Sequence, residues 1–151
     1  MINLYLVRHG ESLANLETAC VGGRRSESLL TYNGITQSIL LCQRFKKENI
    51  IFDEVYASSA ERAKATSAIV CATMQYPLEK IVLCDDLQEI SHGDCEGEPR
   101  EKVWTQEVHK KAKSDPWNFK LGNGESQRDV EERVYGWIEK HLPNYQENKT
   151  I

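Results

Sequence analysis

Apolar and polar positions alternate between short runs and longer periodic stretches along this chain. Residues 2–7, Ile-Asn-Leu-Tyr-Leu-Val, form a short apolar run bounded by a polar turn, which predicts a buried strand. Residues 36–48 carry Ile39, Leu40, Gln43 and Phe45 among polar neighbours and predict a helix ending near Glu48-Asn49. A second strand is expected over 53–57. Ser58 and Ser59 then offer cap oxygens to a helix from Ala60 to Met74, with Ala65, Ile69 and Ala72 at helical spacing. A third strand fits Lys80 to Cys84. Residues 99–112 predict a helix with Pro99 in its first turn, and Lys113 to Asn123 a loop. Ser126 can cap a helix over 127–142, with Asp129 at the capping-box position and Pro143 as its stop. Val130, Val134, Trp137, Ile138 and His141 share one face of that helix. Lys149-Thr150-Ile151 reads as the opening of a further strand.

Strands alternating with helices imply parallel pairing in a layered α/β domain. No repeat or linker divides the 151 residues, so 1–151 is expected to form one domain. A chain of this length can bury about 70% of its unfolded surface and needs no staples. Apolar residues make up 40% and charged residues 28% of the chain, which argues against wholesale disorder. No apolar run approaches the roughly 18 residues of a membrane span. The start shows no basic stretch or cleavage site of a signal peptide. Nineteen Lys and Arg against twenty-three Asp and Glu give a net charge of −4, which speaks against a nucleic-acid binder. The five cysteines are odd in number and form no CxxC pair. Free thiols in a reducing, cytoplasmic setting are expected, with no zinc cluster.

Ligands of parallel sheets sit beyond the carboxyl ends of the strands, here after Val7, Ala57 and Cys84. Arg8-His9-Gly10 follows the first strand, Arg62 lies in the first helical turn after the second, and Glu89 follows the third. Alone, each reads as a surface side chain. Together they make chemical sense on one sheet edge. Two guanidiniums can grip a phosphoryl group through forked hydrogen bonds. The same cations disfavour imidazolium and keep His9 neutral and nucleophilic. A neutral imidazole can attack phosphorus, and a carboxylic acid at Glu89 can protonate the leaving alkoxide.

Leu6-Val7-Arg8-His9-Gly10-Glu11-Ser12 resembles the signature of the histidine phosphatase superfamily, also called phosphoglycerate-mutase-like. Tyr56 to Ala63 is similar to its second block, and Leu87 to Gly97 to its third. Gly124-Glu125-Ser126 with Glu132-Arg133-Val134 is similar to the block before the last helix. The resemblance implies a three-layer α/β/α fold with a mainly parallel sheet. It implies His9 as phospho-acceptor, Arg8 and Arg62 as phosphate ligands, and Glu89 as proton donor. Asn15 and Gly22 are expected to contact substrate, the latter through its backbone. Neither metal nor cofactor is implied.

The family also carries a second catalytic histidine, in a Ser-His-Gly ending a late strand. By family spacing it would lie just past Ile151. The chain is therefore expected to be C-terminally incomplete, with a gap inside its sheet, weak stability and self-association across the gap. Ser91-His92-Gly93 copies the tripeptide by letters only; His92 is expected at a loop or pocket rim. His109, with Lys110, Lys111 and Lys113, suits a solvated helix face, and His141 suits packing at the last helix turn. Arg24-Arg25 fits positive field at a pocket mouth or, more simply, an exposed loop. Trp104, Trp117 and Phe119 fit either core packing or a pocket cover, and no thiol chemistry is expected of Cys95. The expected activity is hydrolysis of a small phosphomonoester through phospho-His9. The block around Glu89 and the short stretch from Glu89 to Gly124 favour a phosphatase over a mutase. The alternatives are a mutase-type phosphotransferase and a non-catalytic phosphate- or partner-binding protein.

Overall fold

The computed structural model of the chain describes residues 2–142 and 148–151. Strand β1 (Ile2–Asn3) leads into a loop and a one-turn helix α1 (Leu13–Leu16). Helix α2 (Tyr32–Lys47), strand β2 (Tyr56–Ser58), helix α3 (Glu61–Thr73) and strand β3 (Val82–Cys84) follow. Two short helices, α4 (Arg100–Val103) and α5 (Gln106–Ser114), precede α6 (Gln127–His141) and strand β4 (Lys149–Thr150). Among the described residues the named strands pair in parallel: β1 with β4, Ile2 opposite Lys149, and β2 with β3, Tyr56 opposite Val82. The α/β class is therefore as expected.

β4 lies between the two pairs. The Ile151 N–H donates to Asn3 O (2.9 Å), and Tyr5 N–H donates to Ile151 O (2.7 Å). On its other side the Asp53 N–H donates to Thr150 O (2.9 Å), while Asp53 Oδ2 accepts from Thr150 N (2.8 Å). The strand expected from Lys149 onward is thus formed and bridges the sheet.

The strands are shorter than the apolar runs suggested. Only Ile2–Asn3 of residues 2–7 form the β1 ladder, and β2 and β3 cover three residues each. The reason is pairing: among the described residues, Leu6, Val7 and Arg8 make no backbone hydrogen bond to a neighbouring strand. They line a cavity of about 650 Å³ together with Val55, Ala57 and Ile151. Leu6 is 88% exposed.

Helix boundaries follow caps rather than periodicity. α2 begins four residues before the expected 36–48 because the Thr31 hydroxyl accepts from Gly34 N (3.0 Å). α3 starts after Ala60, which makes no side-chain cap. Ser59 Oγ instead donates to Asp85, and Ser58 Oγ meets only Ala60 N (3.4 Å), so the expected serine caps are not the ends of this helix. The helix expected over 99–112 is two helices. Thr105 breaks it by capping α5, its hydroxyl accepting from Val108 N, and Pro99 stands just before α4 rather than within it. Lys113 and Ser114, expected in a loop, complete α5. Ser126 and Asp129 form the predicted reciprocal cap of α6. Pro143 lies outside the described residues.

α2 packs on α3 around buried Cys42, Phe45 and Val70. Tyr5, Phe45 and Phe52 meet edge-to-face, with centroids 5.3–5.8 Å apart, a geometry that aromatic quadrupoles favour. α6 packs through Trp137 on Tyr56 of β2 (4.9 Å), and His141 stacks on Trp137 as expected of a packed residue (5.0 Å). These contacts hold the carboxyl ends of β2 and of the first segment within reach of one another.

Candidate active site

Past the apolar run of residues 2–7 the chain turns at Gly10, which lies hard against the N-terminus of α2. A Cβ on Gly10 would stand 2.3 Å from Gly34 O, and one on Gly34 would stand 2.0 Å from Glu11 O. Two glycines let the backbones touch, and that contact sets where His9 begins. Gly10 N–H also donates to buried Thr66 Oγ1 (3.1 Å), whose own hydroxyl donates to Arg62 O (2.8 Å). Thr66 stands one turn after Arg62 on α3, so a single hydroxyl couples the histidine turn to the arginine helix.

His9 is half-buried and both ring nitrogens are engaged. Nδ1 lies 2.7 Å from Gly10 O, and a carbonyl can only accept, so Nδ1 carries the proton. Arg62 Nε donates to His9 Nε2 (3.1 Å), so Nε2 presents its lone pair. Arg62 is itself only 5% exposed. Its Nη1 donates to Arg24 O (2.8 Å) and Arg25 O (3.0 Å), which fixes the guanidinium plane. The His9 pKa is held below its ordinary value. Burial is the largest cause, and the Arg62 and Arg8 cations add to it, against opposing pulls from the Gly10 carbonyl and the Glu89 carboxylate.

Arg8, His9 and Glu89 line the same cavity, and Arg62 is hydrogen-bonded to His9. The four residues that the sequence placed at three strand ends are thus gathered at one place. Arg8 and Glu89 are exposed, and Glu89 Oε1 accepts from Ile90 N (3.0 Å). Asn15 lies on α1. Its side-chain oxygen is turned back to accept from Ser12 N (2.9 Å) and Ser12 Oγ (3.0 Å), leaving its amide NH₂ as the donor for another partner. Gly22 lies in a loop held by Val21, whose N–H donates to Glu98 O and whose carbonyl accepts from Gly97 N.

Residues the sequence reading left out of the site complete it. Glu96 clamps the Gly22–Arg25 loop to the Ser91–Gly93 turn, accepting from Arg25 N (3.2 Å), His92 N (2.8 Å) and Ser91 Oγ (3.2 Å). Burial pushes its carboxyl up, but these donors hold it below the usual carboxylate range. Arg24, expected to be a solvated loop residue, pairs with Glu125 (2.9 Å), and Glu125 pairs with Arg133 (3.0 Å). His92 is partly buried near Glu96. His109, Lys110, Lys111 and Lys113 are exposed on the solvated face expected of them, with the His109 ring against Trp104 (5.1 Å), and Trp104 meets Phe119 (6.1 Å). All five cysteines are free, and burial raises Cys71 to about 11. Among the described residues no helix is long and apolar enough to cross a membrane.

Comparison with known proteins places this geometry in a lineage. The profile of the histidine phosphatase superfamily (branch 1) matches residues 4–151. The chain is 29% identical to a 2,3-bisphosphoglycerate-dependent phosphoglycerate mutase of Bartonella henselae, over 98% of this chain and 72% of that protein. It superposes on the alpha-ribazole phosphatase from Shigella flexneri with a TM-score of 0.78 at 29% identity, over 98% of this chain and 71% of that one. A phosphoserine phosphatase from Entamoeba histolytica, in complex with phosphoserine, gives a TM-score of 0.73 at 25% identity, over 100% and 72%. With the family profile covering nearly all its length and the phosphoglycerate-mutase-like α/β fold in place, this chain belongs to the histidine phosphatase superfamily.

Proposed function

We propose that the chain hydrolyses a small phosphomonoester through a phosphohistidine formed on His9. The observation that carries this reading is the histidine itself: Nδ1–H is tied to Gly10 O, so the Nε2 lone pair faces the arginine side of the cavity. A phosphate dianion arriving there meets Arg8 and Arg62, and its oxygens take over donors that now serve Nε2. Nε2 then forms a bond to phosphorus while the ester oxygen–phosphorus bond breaks, and Glu89 protonates the departing alkoxide. Water next attacks phosphohistidine, giving its proton to the Glu89 carboxylate. Phosphate leaves, and the neutral imidazole and the Glu89 acid are restored. The arginines stabilise charge on the transferring group throughout, the larger share of phosphoryl-transfer catalysis. Asn15 contributes its amide NH₂ to a phosphate oxygen, and Gly22 its backbone. None of these steps calls on a metal or cofactor. Five free thiols support a cytoplasmic setting.

The test is turnover of para-nitrophenyl phosphate by the purified chain, with His9→Ala alongside. Turnover that falls at least about 1,000-fold in the variant supports the reading. Phosphate binding without turnover would instead identify a non-catalytic phosphate binder.

The names of the curated relatives favour a second reading, a phosphoglycerate mutase. It separates cleanly. A mutase moves phosphate from a 2,3-bisphosphoglycerate-primed enzyme to a second substrate hydroxyl, whereas a phosphatase releases inorganic phosphate from a monoester alone.

A further inference from the structure

Glu89 stands on a stretch with little regular structure, just after the 3-10 turn Asp85–Leu87. Its carboxylate is exposed, and its contact with Ile90 N orients it only against its own neighbour. Nothing in that segment explains how an acid could be held at a fixed distance from His9.

The backbone on both sides of Glu89 is nevertheless bolted down, and from one place. Arg133 Nη1 donates to Asp86 O (2.5 Å), and Nη2 donates to Gln88 O (2.7 Å) and Glu89 O (3.3 Å). Glu125 Oε2 accepts from Ser91 N (2.9 Å). Arg133 Nε and Nη2 meet Glu125 Oε1 (3.0 Å) and Oε2 (3.3 Å), a forked pair with 15% and 20% of each side chain exposed. Burial pushes the Glu125 carboxyl up. Hydrogen bonds from Arg133 and the Ser91 N–H, with the charges of Arg133 and Arg24, hold it below the usual carboxylate range.

The pair is rigidly mounted. Glu125 immediately precedes the Ser126 cap of α6, and Arg133 projects from the second turn of that helix. It also reaches the other half of the site. Arg24 Nη2 donates to Glu125 Oε1 (2.9 Å), Arg24 Nε lies 3.4 Å from Glu89 O, and Arg24 O accepts from Arg62. Side-chain and backbone contacts thus run from the Glu89 loop through Glu125 and Arg24 to Arg62 and His9.

We propose that Glu125 and Arg133 are the positioning pair that sets Glu89 against His9, with Arg24 linking the pair to Arg62. The proposal rests on the reading of Glu89 as proton donor. Only a guanidinium has donors enough, in a fixed fork, to serve a carboxylate and three carbonyls at once; a lysine ammonium has a single nitrogen. Misplacement of about 1 Å in a reacting group can lower turnover about 100-fold.

The test uses Arg133→Lys, Glu125→Gln and Glu89→Gln with two esters. An alkyl phosphomonoester needs its leaving oxygen protonated, whereas para-nitrophenolate leaves without a proton. Glu89→Gln should lower kcat on the alkyl ester about 100-fold or more and on para-nitrophenyl phosphate far less. Arg133→Lys should show the same leaving-group bias, at about tenfold or more on the alkyl ester, with unchanged far-UV circular dichroism. Its Ser91 amide should exchange with solvent at least about tenfold faster, a readout that needs no turnover. A leaving-group bias in Glu89→Gln but equal losses on both esters in Arg133→Lys would overturn the proposal and leave the proton-donor reading standing. The same holds for an unchanged Ser91 exchange rate. Absence of bias in Glu89→Gln, or absence of turnover in the unmodified chain, would overturn the proton-donor reading and the proposal with it.

Discussion

At the scale of single residues, the state of His9 governs the rest. Its ring is a neutral imidazole with a defined tautomer, because a carbonyl fixes the proton on Nδ1 and a guanidinium fixes the lone pair on Nε2. Burial first, and the two arginines next, hold its pKa below the ordinary value of about 6.5. The sign for folding follows. Between the folded and unfolded pKa values the unfolded chain binds more protons, so stability falls as pH drops from about 6.5 through the folded value. Nuclear magnetic resonance titration of the imidazole should give a midpoint below about 6.5, and His9→Gln should flatten this part of the stability–pH curve. The acid limb of kcat/KM should share that midpoint. A midpoint above about 6.5 would show that neither burial nor the cations set the charge of the ring. The residue types at positions 8, 9, 62 and 89 were legible because each follows a short apolar run that reads as a strand. Glu125 and Arg133 stood out only as part of a family-like block and Thr66 not at all, since a carboxylate, a guanidinium and a hydroxyl read as ordinary polar positions until their partners are known.

At the scale of elements, the site is made by close approach. α2 can lie against the histidine turn because positions 10 and 34 have no Cβ, and Thr31 starts that helix early enough to bring Gly34 there. Gly34→Ala places a methyl group 2.0 Å from Glu11 O, so the helix end or the turn must shift. Thermal or urea denaturation should show a loss of about 1–3 kcal/mol, as for other overpacked sites. Turnover should fall as well, because the shift passes through Gly10 to His9. An alanine variant with wild-type stability and turnover would show that this contact does not position the histidine. The helices over 127–142 and 60–74 were legible from periodicity to within a residue or two. The break at Thr105 was not. Pattern alone joins α4 to α5, and only the threonine cap on Val108 shows where one stops and the other starts.

At the scale of the whole molecule, β4 ties the two strand pairs together. It pairs with β1 on one side and meets Asp53, ahead of β2, on the other, and Ile151 lines the cavity of about 650 Å³. Leu4, Leu6 and Val7 are exposed there, at 45%, 88% and 45%, and the amides of Leu6 and Val7 have no strand partner among the described residues. By itself the sequence determined the α/β class, the parallel pairing and the residues whose chemistry suits phosphate, because periodicity, caps and strand-end position are local properties. The tertiary structure alone decided that Arg8, His9 and Glu89 line one cavity with Arg62 bonded to His9, which histidine nitrogen carries the proton, and which ion pair bonds the backbone around Glu89. These depend on contacts between positions far apart in the chain, and no local pattern records them.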